Sequence, residues 1–168
     1  MPNSETFSQT KDCLFCKIIA GQLPLDGLFW QDDKFLAWLA IDPSTEGFSL
    51  VVPRKHHASD VLKMPNKELT DFILAAKTVS QILENYFTDV GRIGLIMEGT
   101  GVDHAHIKLF PFHKTPWMKQ GKWQPIFSDK EEWFESYPGY IYSGAGPIAN
   151  PKELQKLAQN LKDSQKAQ

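Results

Sequence analysis

The feature that most constrains the fold is one long amphipathic helix with strand-like segments on both sides. From Lys67 to Phe87, apolar side chains recur at steps of three and four residues, with Asn66 ahead of them as a candidate N-cap. That helix face consists of Leu69, Phe72, Ile73, Ala76, Val79, Ile82, Leu83 and Tyr86. Because strands precede and follow the helix without alternating with it, we expect an antiparallel α+β domain.

The other predicted elements are short. A helix is expected over 12–20, ended by Gly21 and Pro24. Strands are predicted over 27–31, 34–41, 48–52, 91–98 and 102–110, the first two forming a hairpin. A last helix is predicted over 152–161.

The domain boundaries follow from changes in composition along the chain. Residues 1–11 are polar and predict a flexible arm, and 12–113 carry the folded domain. Residues 114–168 begin as an irregular segment rich in aromatic residues and proline. We expect this carboxyl-terminal extension to pack on the same domain, where its aromatic side chains serve either the core and a dimer contact or a base-stacking lid.

Charge and hydropathy limit the classes of partner. Eighteen Lys and Arg against twenty Asp and Glu give a formal charge of −2, which provides no net basic field for long nucleic acid. No run approaches the roughly 20 apolar residues that span a bilayer, and no export signal is evident. We therefore expect a protein that binds a small molecule.

Two cysteines, Cys13 and Cys16, are the only ones in the chain. They cannot form a disulfide framework, which favours a reducing compartment and a cytoplasmic location. Their spacing alone leaves three interpretations open: a redox dithiol, half of a metal site, or two structural thiols on one helical turn.

The segment before Pro111 carries the main functional signal. Because strand side chains alternate between faces, His104, His106 and Lys108 are expected on one side and the apolar residues between them on the other. Neighbours on one strand face lie roughly 6 to 7 Å apart, so this side presents an anion site with a candidate nucleophile. The alternative is a solvent-facing polar strand without chemistry.

A second cluster lies where the 48–52 strand runs into Pro53-Arg54-Lys55-His56-His57. Alone, such a cluster is most often a solvated turn. Taken with Cys13, Cys16 and His104, either His56 or His57 completes four soft or borderline ligands, the set that tetrahedral zinc requires.

Three motifs together resemble the histidine triad family of nucleotide hydrolases and transferases. They are the sequences Asp12–Gly21, Leu50–His56 and Gly99–Pro111, the last containing His-Ala-His-Ile-Lys. The resemblance covers the chain from about Asp12 to Pro111 and implies a five-stranded antiparallel sheet with one long helix, paired into a homodimer.

The resemblance also implies an activity and a metal. His106 corresponds to the histidine that attacks the α-phosphate of a nucleoside phosphoramidate, dinucleoside polyphosphate or nucleotide sugar and forms a nucleotidyl-histidine. That role requires a neutral imidazole whose other nitrogen donates a hydrogen bond. Similar proteins bind structural zinc through positions that correspond to Cys13, Cys16, His56 and His104. His57 is the alternative ligand to His56.

The sequence departs from the family pattern at three positions. Lys108 replaces the third histidine, keeping a positive charge for the phosphate but giving a poor proton donor near neutral pH. Ala40 replaces an acidic or amide residue that holds the ribose in many relatives, so either Asp42 takes that role or the ribose is held differently. Gly101 replaces a Ser or Thr, which leaves Thr100 as the nearest hydroxyl for a phosphate contact.

The sequence therefore predicts a nucleotidyl hydrolase or transferase acting on a nucleoside phosphoanhydride or phosphoramidate. A non-catalytic nucleotide-binding or regulatory module with a degenerate site is the second hypothesis, favoured by Lys108 and Ala40. A redox protein using Cys13 and Cys16 is the third.

Overall fold

The computed structural model describes residues 12–121, 130–139, 141 and 150–152. The chain divides into two units, 1–123 and 124–168. In the second unit, Pro151 and Lys152 are helical, and the remainder of the helix predicted to end at residue 161 lies outside the described residues. Trp123, Tyr140 and Tyr142 of the aromatic segment also lie outside them. The expected packing of 114–168 on the domain stays a prediction.

The first unit contains two helices and five strands among its described residues. In chain order these are α1 Leu14–Ile19, β1 Leu28–Gln31, β2 Phe35–Leu39, β3 Ser49–Pro53, α2 Asn66–Tyr86, β4 Ile93–Ile96 and β5 Ile107–Pro111. Short 3₁₀ turns occupy Val61–Lys63 and Pro116–Gln120. No helix within the described ranges is long and apolar enough to cross a bilayer.

The five strands form one antiparallel sheet in the order β1-β2-β3-β5-β4. This confirms the predicted α+β class with one long helix. The hairpin between β1 and β2 turns at Asp32, whose Oδ1 accepts hydrogen bonds from the backbone N–H of Lys34 at 2.8 Å and of Phe35 at 2.7 Å. Because the Asp32 side chain accepts hydrogen bonds from two backbone N–H groups, the turn is stabilised by its own residues.

The sheet carries an apolar cluster on each face. One cluster packs strand residues on α2, with Phe35 stacked on Phe72 at 5.4 Å between ring centroids. Its strand members are Phe35, Ala37, Val51, Ile107 and Leu109, with Ala105 from the segment before β5. The other cluster packs α1 on Leu36, Trp38 and Val52, and the ring edge of Phe15 meets Trp38 at 5.3 Å. The two helices therefore cover opposite faces.

Helix α2 differs from its prediction at both ends. Asn66 is its first helical residue and not its N-cap, because the carbonyl of Pro65 already accepts a helical hydrogen bond from the N–H of Leu69 at 2.9 Å. At the other end, Tyr86 is 77% exposed and does not join the buried face. The buried residues of the helix are Phe72, Ala75, Ala76, Val79 and Leu83, and all but Ala75 belong to the predicted face.

The strand predicted over 102–110 is shorter in the structure, because β5 begins only at Ile107. Before it, the N–H of His104 donates to the carbonyl of Val102 at 2.8 Å, which is a turn contact. The N–H of Ala105 donates at 2.8 Å to a carbonyl in the segment after β3, outside the strand ladder. His104 and His106 therefore lie just before β5 and not within it. Their side chains still lie on the face opposite that of the apolar residues that alternate with them, as predicted.

Candidate active site and metal centre

Four side chains from three distant parts of the chain converge on the α1 face of the sheet. Cys13 and Cys16 come from the start of α1, His56 follows β3, and His104 precedes β5. One ligand atom from each residue lies within 4.8 Å of all the others. The structure therefore brings together the four residues predicted as metal ligands.

The distances among these atoms fit a tetrahedral ion. His104 Nδ1 lies 3.4 Å from Cys13 Sγ and 3.5 Å from Cys16 Sγ, and His56 Nδ1 lies 3.5 Å from Cys16 Sγ. A tetrahedron with zinc–sulfur bonds near 2.3 Å and zinc–nitrogen bonds near 2.0 Å has a nitrogen–sulfur edge of about 3.5 Å. Two thiolates and two imidazoles with this spacing suit zinc, and they occupy all four of its positions.

The ring of His104 is oriented by the neighbouring strand. Its Nε2–H donates to the carbonyl of Pro53 at 2.8 Å, so Nδ1 carries the lone pair that faces the two sulfur atoms. The side chain is fully buried, and this burial lowers the pKa of His104 to about 4. The imidazole is therefore neutral near pH 7, which is the form that binds a metal.

His57 faces away from this cluster. Its Nε2 lies 3.1 Å from the Glu68 carboxylate, beside a cavity of about 370 Å³ between α2 and the sheet. Burial lowers the pKa of His57, and the charge of Glu68 opposes that shift. Of the two adjacent histidines, His56 is the one placed to complete the metal centre.

His106 lies beside the metal centre and is held by a backbone contact. Its Nδ1–H donates to the carbonyl of His104 at 2.8 Å, so in the neutral ring Nε2 carries the lone pair. The side chain is only 4% exposed, and the Phe15 ring meets it edge-on at 5.6 Å. This is the tautomer that a nucleophilic imidazole requires, and a main-chain oxygen sets it.

Lys108 forms an ion pair with Glu98, a residue that sequence reasoning missed. Their side chains are 24% and 12% exposed, so the pair is largely withdrawn from water. Burial lowers the pKa of Lys108, and the Asp42 carboxylate opposes this shift. The available signal was strand register: Ile96 pairs with Lys108, and Glu98 comes two residues later on the same face.

The three remaining predicted site residues occupy exposed loops. Asp42 lies between β2 and β3, near enough to Lys108 for its charge to act there. Thr100 and Gly101 lie on the turn between β4 and His104. Gly101 has a φ of 85°, a conformation that glycine adopts without strain.

Comparisons with known proteins agree with this architecture. A family model described as the HIT domain matches residues 25–115. An uncharacterized HIT-like protein of Methanocaldococcus jannaschii is 35% identical over 106 residues, which are 59% of this chain and 78% of that protein. An adenosine 5'-monophosphoramidase of Candida albicans is 31% identical over 107 residues, covering 59% and 69% of the two chains.

A solved structure shares the fold at lower identity. The crystal structure of a protein from Streptococcus mutans UA159 superposes with a TM-score of 0.64 at 24% identity, covering 93% of this chain and 87% of that one. This likeness concerns the fold alone.

Proposed function

Because the chain belongs to the HIT-domain family, we propose that it is a nucleotidyl hydrolase or transferase acting on a nucleoside phosphoramidate or phosphoanhydride. Relatives named adenosine 5'-monophosphoramidase, in Candida albicans and two other yeasts, support a nucleotide substrate. The observation that carries the proposal is the hydrogen bond from His106 Nδ1–H to the His104 carbonyl, which leaves Nε2 as a nucleophile.

The proposed reaction has two displacement steps at one phosphorus atom. The Nε2 lone pair of His106 attacks the α-phosphorus, and the bond from phosphorus to the leaving nitrogen or oxygen breaks with its electron pair. The leaving group takes up a proton as it departs. Water or another acceptor then attacks the same phosphorus, the phosphorus–nitrogen bond to His106 breaks, and the acceptor loses a proton to solvent.

In this proposal, other residues bind the nucleotide and stabilise the charge that develops during the reaction. The Lys108 ammonium stabilises the charge that develops on the phosphoryl oxygens. Asp42 accepts hydrogen bonds from the ribose hydroxyls, and the turn at Thr100 and Gly101 contacts the phosphate. An ammonium is a weaker acid than an imidazolium and is a poor proton donor near neutral pH, so leaving-group protonation is the weakest part of this site.

The metal in this proposal is a structural zinc. Cys13, Cys16, His56 and His104 would hold it, and a site closed by four protein ligands supplies folding energy and no catalytic position. Bound zinc would tie the α1 segment to the sheet beside His106. Metal-binding thiolates must remain reduced, which supports a cytoplasmic location.

One observation favours a second candidate, a nucleotide-binding module without turnover. The Lys108 ammonium already has a carboxylate partner in Glu98, which reduces the charge that it can offer a phosphate. A site of this kind would bind a nucleotide and release it unchanged.

The test compares two histidine variants with adenosine 5'-phosphoramidate as substrate. We expect His106→Ala to abolish turnover while the protein still folds and keeps its metal content, because the ring is not in the proposed ligand set. The adenylylated intermediate should be trapped on His106 of the wild-type protein by rapid quench in an alkaline denaturant, which preserves the phosphorus–nitrogen bond, and located by peptide mass spectrometry.

The matched control is His57→Asn. His57 follows the candidate ligand His56 in the sequence, but its ring contacts Glu68 and not the metal-centre residues. This variant should retain both metal and turnover. Hydrolysis by His106→Ala at the wild-type rate would refute the assignment of the nucleophile, while tight AMP binding without turnover in the wild type would establish the binding module.

A further inference from the structure

We propose that Glu98 is a specificity-determining residue of the His106 site, whose carboxylate makes the site favour a singly charged phosphorus centre over a doubly charged one. The inference rests on the proposed function, since it concerns the phosphate that His106 would attack. It assigns a role to a residue for which the sequence provided no expectation.

The register at the end of β4 agrees with the contact between Glu98 and Lys108. In the β4–β5 pair, Ile96 lies opposite Lys108, and opposite residues of an antiparallel pair share a face. Glu98 follows Ile96 by two residues and so projects on that same face.

The charged and titratable groups around Lys108 come from three elements. Glu98 lies beyond the end of β4, Asp42 lies in the β2–β3 loop, and His106 precedes Lys108 by two residues. Glu98 is the carboxylate in direct contact with the ammonium, and its side chain is only 12% exposed. Low exposure weakens solvent screening, so its charge acts more strongly on a bound phosphate than that of the exposed Asp42.

This charge balance suits the proposed substrates better than the hydrolysis product. The α-phosphorus of an anhydride or phosphoramidate bears one negative charge, so the Glu98 carboxylate beside Lys108 repels it less than it repels a doubly charged phosphate. Hydrolysis yields a nucleoside monophosphate whose second pKa is near 6, so the product is doubly charged at neutral pH. The Glu98 carboxylate repels that second charge and promotes release of the product.

The experiment measures binding of two ligands that differ by one charge. Calorimetry at about pH 7.5 compares AMP, a dianion there, with its 5'-methyl ester, a monoanion. We expect Glu98→Gln to bind AMP about tenfold more tightly than the wild type and the ester about threefold more tightly at most. The ratio of the two dissociation constants should therefore shift by threefold or more in favour of AMP.

Two control variants separate a local effect from a general one. Glu84→Gln removes the same charge from α2, on the opposite face of the sheet, and should leave the ratio at its wild-type value. Glu98→Asp retains the carboxylate and should retain the discrimination. An unchanged ratio in Glu98→Gln, or an equal shift in Glu84→Gln, would overturn the inference.

The outcomes also distinguish this inference from the proposed function. A shifted ratio together with normal turnover by His106→Ala would support Glu98 as a charge selector and refute His106 as the nucleophile. Failure of the wild-type protein to bind either ligand would refute both.

Discussion

The tautomer of His106 is set by the backbone of a residue that also belongs to the candidate metal centre. His104 directs its ring at Cys13 and Cys16, while its carbonyl accepts the hydrogen bond from His106 Nδ1. A metal that holds the His104 ring would therefore also restrain the main-chain oxygen that orients the proposed nucleophile, His106. The candidate metal centre is thus linked to the His106 site, although the ion takes no part in the proposed reaction.

Lys108→His tests whether the site lacks a group that can protonate the leaving group. Imidazole has an ordinary pKa near 6.5 and can pass a proton to the leaving group at neutral pH, which an ammonium does slowly. We expect kcat/KM for adenosine 5'-phosphoramidate to rise by about tenfold to a hundredfold, toward the range that general acid catalysis supplies. Steady-state kinetics near pH 7 measure this change.

The control for that prediction is Lys108→Arg, which retains a positive charge and gains no proton-transfer group near neutral pH. It should show no gain. If Lys108→His also shows none while AMP still binds tightly, the chain is a binding module and not a weakened enzyme.

His113 provides a stability prediction outside the site. Its Nδ1 lies 3.2 Å from both carboxylate oxygens of Asp89, and its Nε2 lies 3.0 Å from the carbonyl of Glu46. Both ring nitrogens face acceptors, an arrangement that only the imidazolium satisfies. The Glu46 carbonyl and then the Asp89 carboxylate raise the pKa of His113.

Because the pKa of His113 is raised in the folded state, protonation favours folding. This contribution is complete below the unfolded value near 6.5 and is lost as the pH rises through the folded value. We expect His113→Asn to lower the free energy of unfolding most at about pH 5.5 and least at about pH 8. Urea unfolding across this range measures it, and a pH-independent difference would contradict the assignment.

Residue identity predicted the members of the candidate metal centre better than it predicted the groups around them. Cys13, Cys16, His56 and His104 were found because soft ligands are rare in this chain and their motifs are recognisable. The His104 carbonyl and Glu98 were not found. Any residue has a carbonyl, and a glutamate beyond the end of a strand has no distinguishing pattern until the register of β4 and β5 is known.

At the scale of elements, the stability of α1 depends on its contacts with other parts of the fold. It spans six residues, too few for an isolated helix to be stable in water. Its attachments are the packing of Phe15 on Trp38 and the cluster formed with His56 and His104. The helix is therefore expected to be the element most sensitive to metal.

We expect protein purified without added metal to contain one equivalent of zinc, and Cys16→Ser to lose most of it. Loss of a ligand removes binding free energy that stabilises the fold. Hydrogen exchange should then quicken by about tenfold or more over residues 14–20 and change little in the buried turns of α2. Elemental analysis and exchange mass spectrometry provide the two measurements.

His57→Asn is the control for this prediction, since His57 contacts Glu68 and not the cluster. It should keep its zinc and its exchange profile. A metal-free wild-type protein with a titratable disulfide between Cys13 and Cys16 would instead support the redox interpretation.

The start of β5 could not be predicted from the local alternation of apolar and polar residues. The alternation from Val102 to Phe110 predicted one strand with Ala105, Ile107 and Leu109 on a common face, and in the structure that face packs on α2. It did not predict that β5 begins at Ile107, because the carbonyl of Pro53 binds the ring of His104 and Ala105 donates outside the ladder. Those contacts involve residues about fifty positions away, which no local window contains.

At the scale of the whole molecule, the two edges of the sheet differ in their capacity to pair. β1 has a register irregularity between Leu28 and Trp30, and such a bulge discourages strand addition. β4 pairs with β5 in regular register, and its residue Leu95 is 44% exposed. The homodimer implied by the family resemblance is therefore expected to join two copies of β4.

Leu95→Arg should convert such a dimer to a monomer, since the arginine would place a charge at the centre of the joined edges, next to its symmetry mate. The folded protomer should tolerate the change because the leucine is already partly exposed. Phe29→Arg is the matched control on β1, where the replaced side chain is 36% exposed, and it should remain a dimer. Sedimentation equilibrium distinguishes the two states. Dissociation by Phe29→Arg alone would place the contact on β1, and a monomeric wild type would show that neither edge pairs in solution.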